Sequence, residues 1–356
     1  MGKKKVLVAM SGGIDSSLAA ALIKSQGYET IGVTLKLFPE MNKNGFSSQK
    51  RIKGIESAAE VARKLRIPHY VFDVHEEFEK EIIETFCREY LLGRTPNPCI
   101  FCNEKIKFGI LLDRARKMGI DYVASGHYAR VVYDDIKGRF ILKKGKDPQR
   151  DQSYFLFSLN QDQLRAVLFP LGEIRKSEVR KRAKEFGLNL SDRPESREIC
   201  FIPDNNYTNF IKTRFPHIDE VGPIISTQGE VLGEHKGIFS FTIGQRKGLN
   251  IAQGYPLYVI ALDRNTNTVV VGRKEEVYRN TLTASRINWI GIEALSKPIE
   301  LKARIRYRHP EGHARVIPLS VGRVKVEFYQ PQLAVTSGQA VVFYNGDTVV
   351  GGGWID

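Results

Sequence analysis

Between Lys5 and Gly126 the hydrophobic period of the chain switches repeatedly, and this alternation restricts the fold more than any other feature of the sequence. Short apolar runs read as strands: KVLVAM from Lys5, TIGVTLKL from Thr30, HYVFDV from His69 and DYVASG from Asp121. Stretches of helical period separate them. Ser16 to Gln26 is one, closed by Gly27. Ile55, Ala58, Ala59, Ala62 and Leu65 mark a second, ended by Pro68. Phe78, Ile82, Phe86 and Tyr90 form a third stripe, and Glu104 to Lys117 a fourth. Parallel strands need crossover connections, so this order predicts an α/β fold with a doubly wound parallel sheet. Ligands of such sheets sit beyond the carboxyl ends of the strands. SGGIDS from Ser11, TPNPCIFCN from Thr95 and SGHYAR from Ser125 all fall at or near such ends, which predicts one shared cleft.

The pattern stays helical from about Asn160 to Thr213, with basic residues gathered in IRKSEVRKRAKEFG. Beyond Val221 short β-rich runs take over, punctuated by Gly- and Asn-containing turns: PLYVIALD, NTVVVG, RVKVEFY and QAVVFYNGDTVVGGGWI. These predict one or two small antiparallel β modules, the last barrel-like, with a boundary near Tyr278 to Thr281. The expected division is a catalytic domain with a helical segment over 1–213, a small β-rich domain over 214–278, and a β-barrel over 279–356.

SGGIDSS lacks the Gly-Lys-Ser/Thr ending of a Walker loop. It still follows a buried strand and opens a helix, where backbone N–H groups and the helix dipole favour an anion. Gly12 and Gly13 allow close approach, and Ser11, Ser16 and Ser17 add hydroxyls. Asp15 cannot bind phosphate directly, so it points to a cation or to an orienting hydrogen bond. The competing reading is an ordinary capped turn with Asp15 or Ser16 as cap.

Lys and Arg number 54 against 40 acidic residues, a net charge of +14 that suits a polyanionic partner or, more blandly, a solvated basic surface. No apolar run is long enough to span a membrane, and the N-terminal run is too short for a secretory signal. Four cysteines in 356 residues are not a secreted disulfide scaffold, so a cytoplasmic setting is expected.

SGGIDSS resembles the pyrophosphate loop of the N-type ATP pyrophosphatases, which split ATP between its α and β phosphates. GRTPNPCIFCNEKIKFG, ASGHYAR, KDPQRDQSYFLF, ICFIPD and FTIGQRKGL, in that order, are similar to segments of the bacterial tRNA-specific 2-thiouridylases, which thiolate the wobble uridine. The resemblance runs from Val6 onward and is weakest across Phe38 to Ile52. It implies that ATP, with Mg²⁺, adenylates O2 of the uridine, and that persulfide sulfur then displaces AMP from C2. By the same resemblance Ala9, Met10, Ser11, Gly12, Gly13, Ile14, Asp15 and Ser16 hold ATP, joined by Leu35 and Gly126, with Asp15 also catalytic. Asn97, Pro98 and Cys99 meet the target base. Arg150, Asp151 and Gln152 contact tRNA, as do Arg306, Tyr307 and Arg308.

The resemblance also makes Cys200 the persulfide carrier and Cys102 the nucleophile. The two form a transient disulfide, and a sulfur-relay protein or cysteine desulfurase is the donor. Lys105, Lys107 and Arg197 are candidates for lowering the thiol pKa values. Cys99-x-x-Cys102 with Cys200 as a distant third ligand leaves a [4Fe–4S] cluster open; a redox pair or a pocket-lining Cys99 stays open beside it. A zinc site lacks a fourth ligand. Cys87, among the apolar residues of a helix, reads as a buried thiol. In LKARIRYRHP, alternation along a strand predicts one face carrying Lys302, Arg304, Arg306 and Arg308, either to track phosphates or to protect an edge.

Overall fold

The computed structural model describes residues 2–39, 48–188, 199–202, 204–218 and 220–356. Strands β1 (Lys5–Ala9), β2 (Glu29–Lys36), β3 (His69–Asp73) and β4 (Tyr122–Ala124) are parallel. A hairpin of β5 (Ala129–Asp134) and β6 (Arg139–Lys144) follows, and the two-residue β7 (Val167–Leu168) completes a sheet of order β3-β2-β1-β4-β7. β7 lies in the stretch read from sequence as helical. Two residues carry no period of their own. The strand exists because Val123 N–H donates to Ala166 O at 2.9 Å and Ser125 N–H to Leu168 O at 3.2 Å. Val6, Leu7 and Val8 of β1 are fully buried. Helix α1 (Ile14–Ser25) packs through Leu18, Ala19, Ala20, Ala21 and Ile23, and small side chains let it lie close to the sheet. Strand order reverses direction between β1 and β4, so the loop leaving β1 opens into the crevice where such sheets bind ligands.

The segment around the first two motif cysteines is helical rather than a loop. Asn97 caps it by accepting from Cys99 N–H at 3.2 Å, with Pro98 in the first turn. An α-turn over Pro98–Phe101, a π-helix over Cys102–Ile110 and an α-helix over Leu111–Lys117 run on without a break.

In the middle of the chain β8 (Gly222–Ser226), β9 (Val231–His235), β10 (Tyr258–Asp263) and β11 (Thr268–Gly272) form a sheet of order β10-β11-β8-β9. β8 and β11 are parallel, correcting the expectation of purely antiparallel modules. The chain between them is long enough to supply the crossover that parallel pairing requires.

The last six strands are antiparallel and close on themselves in the order β12-β15-β14-β13-β16-β17. They are β12 (Tyr278–Trp289), β13 (Ile299–Arg304), β14 (Gly312–Ser320), β15 (Arg323–Leu333), β16 (Ala340–Asn345) and β17 (Thr348–Ile355). Alternate residues fill the barrel, among them Leu301, Ala303, Ala314, Val316, Val324, Val326 and Phe343. β17 also pairs with β6, Thr348 opposite Lys143, and Asp347 accepts from Arg130 at 2.8 Å. Glycines allow the close fit: a Cβ on Gly352 would lie 2.5 Å from the Phe157 ring. Trp354 stacks on Phe101 with centroids 4.3 Å apart, so barrel and parallel-sheet domain share one core.

Candidate active site

The loop after β1 is shaped as an open anion cradle. Gly12 has φ +75°, and a Cβ there would meet Gly54 O at 2.3 Å, so only glycine fits. Ser57 Oγ donates to Gly12 O and fixes the turn from outside. Gly13 is the N-cap of α1 and provides no side-chain cap, which removes the capped-turn alternative. Ser16 and Ser17 hydroxyls both donate to Gly13 O, at 3.0 and 2.9 Å, and Ser16 Oγ accepts from Ser11 N–H at 3.1 Å. A Cβ on Gly13 would approach nothing nearer than Ser11 Oγ at 3.6 Å, so protein packing does not demand this glycine. The backbone of Met10 is fixed by Val33 O and Thr34 Oγ1, and Leu35 ends the apolar part of β2 beside it. Gly126 abuts the loop: a Cβ would lie 2.9 Å from the Asp15 carbonyl carbon.

Asp15 turns out to be anchored. Lys176 Nζ donates to both its carboxylate oxygens at 2.7 Å, and Tyr128 Oη donates to one of them, also at 2.7 Å. These bonds orient the carboxylate, one of the two roles open from sequence. Lys176 heads the Lys176–Glu185 helix, and nothing in its basic run sets it apart in the sequence.

Cys102 packs on the apolar cluster of Phe78, Ile82 and Phe86, and Ile199, Phe201 and Ile202, which flank Cys200, belong to the same cluster. Cys99 and Cys200 are exposed and Cys102 is half-buried, all as free thiols. Cys87 is buried, and burial pushes its thiol up to about 11. Surrounding protein also raises the Cys99 and Cys102 thiols, while the Lys107 ammonium pulls both back. The expected net lowering is therefore corrected: desolvation outweighs the cation. Lys105 is turned to Glu104, and Arg197 lies outside the described residues. Lys107 donates to Asn103 Oδ1 at 3.1 Å, and Asn103 donates to Phe155 O at 3.1 Å. His127, bonded to Ser125 at 2.6 Å, is held neutral by burial, its pKa well below the ordinary imidazole value.

Among the described residues, no group of three or more His, Cys, Asp or Glu side chains stands close enough to hold a metal ion. Cys99, Cys102 and Cys200 therefore do not fit a [4Fe–4S] cluster as arranged, and Asp15, already engaged, does not offer Mg²⁺ a prepared site.

The two expected RNA-contacting segments meet each other. Tyr307 lies on Phe155 with centroids 4.4 Å apart. β13, however, ends at Arg304, so Lys302, Arg304, Arg306 and Arg308 do not share one strand face. Arg304 points inward to Glu311 at 2.7 Å and Asp151 at 3.5 Å, and Arg306 to Arg308 form a turn in which Arg308 has φ +65°. Asp151 is 4% exposed and accepts from Gly145 N–H, Ser153 N–H and Ser153 Oγ, so its carboxylate braces the loop from within. Arg150 and Gln152 are half-buried on either side of it.

Three family models match in succession: a tRNA methyl transferase HUP domain over residues 4–204, a tRNA methyl transferase PRC-barrel domain over 208–273, and an aminomethyltransferase β-barrel domain over 279–355. The tRNA-specific 2-thiouridylase MnmA of Halothermothrix orenii is 50% identical, covering 99% of this chain and 98% of that protein. The protein of the same name from Acetivibrio thermocellus is 48% identical over the whole of both chains. Among solved structures, the U34-tRNA thiolase NcsA from Methanococcus maripaludis, with its [4Fe-4S] cluster, aligns over 60% of this chain and 67% of its own. It does so at 22% identity and a TM-score of 0.35, a likeness too slight to transfer a ligand.

Proposed function

This chain belongs to the tRNA-specific 2-thiouridylase family, and from that premise we propose that it thiolates C2 of the tRNA wobble uridine in an ATP-dependent reaction. The observation that carries the reading is full-length identity of about half to proteins of that name, joined to an uncapped helix N-terminus at the strand crossover. A glycine at residue 13 that packing does not require supports it, since the space is then kept for a ligand.

In the reaction O2 of the flipped uridine attacks the α-phosphorus of ATP. A P–O bond forms, the α–β bridge breaks, and pyrophosphate leaves into the cradle of amides from Gly13 to Ser16. The uridine oxygen, a poor leaving group, has become part of AMP. Cys200 receives a persulfide from a relay protein or a cysteine desulfurase. The Cys102 thiolate attacks Cys200 Sγ, a Cys102–Cys200 disulfide forms, and the terminal sulfur leaves as hydrosulfide. That sulfur adds to C2, AMP departs, and a dithiol reductant returns both cysteines to thiols. A reducing cytoplasm supplies such a reductant and the tRNA. Magnesium would arrive on the nucleotide phosphates. Asn97, Pro98 and Cys99 line the base side, and the turn at 306–308 with Arg150 and Gln152 takes the RNA backbone. The chain is best divided at 213 and 278 into catalytic, central and barrel domains.

The test is incubation of the purified protein with tRNA, ATP and a persulfide donor, followed by nucleoside mass spectrometry. Equal yields of pyrophosphate, AMP and 2-thiouridine, all requiring tRNA, are expected. ATP cleavage indifferent to tRNA would overturn the proposal.

A further inference from the structure

Tyr128 touches two sites at once. Its hydroxyl donates to Asp15 Oδ1 at 2.7 Å, in the first turn of the ATP loop's helix. Its backbone is bonded both ways to Gln152: Tyr128 N–H donates to Gln152 Oε1 at 2.9 Å, and Gln152 N–H donates to Tyr128 O at 2.9 Å. Gln152 belongs to the loop proposed above to meet tRNA. The tyrosine is 4% exposed, so its ring has little room to move, and its bonds to Asp15 and Gln152 are partly buried. Its backbone is hemmed in as well, since a Cβ on Gly145 would lie 2.7 Å from Tyr128 O. A displacement of the 150–152 loop therefore moves the Tyr128 backbone, and with it the hydroxyl on Asp15. Lys176 holds the same carboxylate from the head of its helix, and its backbone N–H donates to Asp147 Oδ2 at 2.9 Å, so both anchors of Asp15 reach the 147–152 loop, and the one through Tyr128 is the one bonded to Gln152.

We propose that Tyr128 is a positioning residue through which tRNA engagement at residues 150–152 is transmitted to the ATP loop. This rests on the proposed function, because it takes tRNA and ATP as the two ligands. It goes beyond that function by giving a physical reason for their binding to be coupled. Contact with RNA on the loop fixes Gln152, Gln152 fixes the Tyr128 backbone, and the hydroxyl then holds Asp15 in the one orientation that leaves the phosphate cradle open.

Tyr128→Phe removes the hydroxyl alone. The experiment measures the affinity of a non-hydrolysable ATP analogue with and without tRNA, and of tRNA with and without the analogue. In the wild type each ligand should tighten the other by the same factor, about fivefold or more. In Tyr128→Phe that factor should fall toward one, with tRNA alone bound within about twofold of wild type, because the hydroxyl lies on the Asp15 side and the backbone bonds to Gln152 are untouched. Gln152→Ala breaks the same connection from the other end and should lose the coupling too, while also weakening tRNA. Coupling retained in Tyr128→Phe, an equal loss of analogue affinity in both states, or no coupling in the wild type would each overturn the inference. Pyrophosphate release by the wild type with tRNA tests the function separately, so the two failures are distinguishable.

Discussion

At the scale of single residues the proposed chemistry divides between a carboxylate, Asp15, and two thiols, Cys102 and Cys200. Asp15→Ala should abolish tRNA-dependent pyrophosphate release while leaving circular dichroism and the unfolding temperature near wild type. Release at the wild-type rate would remove Asp15 from the nucleotide chemistry. Adenylation needs no thiol, so Cys102→Ser and Cys200→Ser should each lose 2-thiouridine yet keep tRNA-dependent pyrophosphate release. Labelled persulfide sulfur should load on Cys200; label accumulating on Cys102 reverses the two roles. Cys99→Ala should retain substantial aerobic activity, and inactivity accompanied by loss of bound iron would favour a cluster. Because burial raises the Cys102 thiol, little of it is ionised at neutral pH, and sulfur release should quicken as pH rises. Lys107→Met removes the opposing charge and moves the thiol further up. At fixed pH near 8 the release rate should then fall with the lost thiolate, and a single-turnover pH profile should be displaced to higher pH.

At the scale of elements, the turn from Arg306 to Arg308 lies at the edge of the barrel beside the 150–152 loop. Replacing Arg306 and Arg308 together by Ala should weaken tRNA binding and flatten its salt dependence by about 1.4–1.8 in log–log slope, for two lost phosphate contacts. An unchanged slope in a filter-binding titration over salt would show both arginines in solvent. The sequence predicts a basic strand face here, and the structure does not form one. Alternation of charge from Lys302 to Arg308 has the right period, but the strand stops at Arg304, whose guanidinium is drawn inward by Glu311 and Asp151. The parallel sheet and the glycine loop were legible because period, glycine and strand–helix order are local signals. The Asp15–Lys176 pair was not, since its partners are 161 residues apart and pair through the tertiary fold. Nor was the helical start at Pro98, where Asn97 and proline look like loop residues until they are seen as a cap.

At the scale of the whole molecule, the barrel and the parallel-sheet domain are built into each other. Thr95 N–H donates to Ser337 O at 2.9 Å, Gln339 Nε2 donates to Thr95 O at 2.8 Å, and Trp354 covers Phe101, the residue just before Cys102. Trp354→Ala should cost about 3–5 kcal/mol, the range for truncating a large buried aromatic, and calorimetry should show the unfolding transition lowered or split. An unaltered melting curve would mean that the two domains are energetically independent. The hairpin β5–β6 gives the same junction a different meaning in time. Arg130 finds Asp347 only across 217 residues of chain, and β6 finds its partner strand over a similar interval. During synthesis on the ribosome the glycine loop after β1 and its sheet emerge long before β17, the strand that pairs with β6. A nascent chain can therefore have the glycine loop and its parallel strands outside the ribosome while the core they share with the barrel is still open, and a prematurely terminated chain stays in that state. Competence to modify tRNA is thus acquired late in translation.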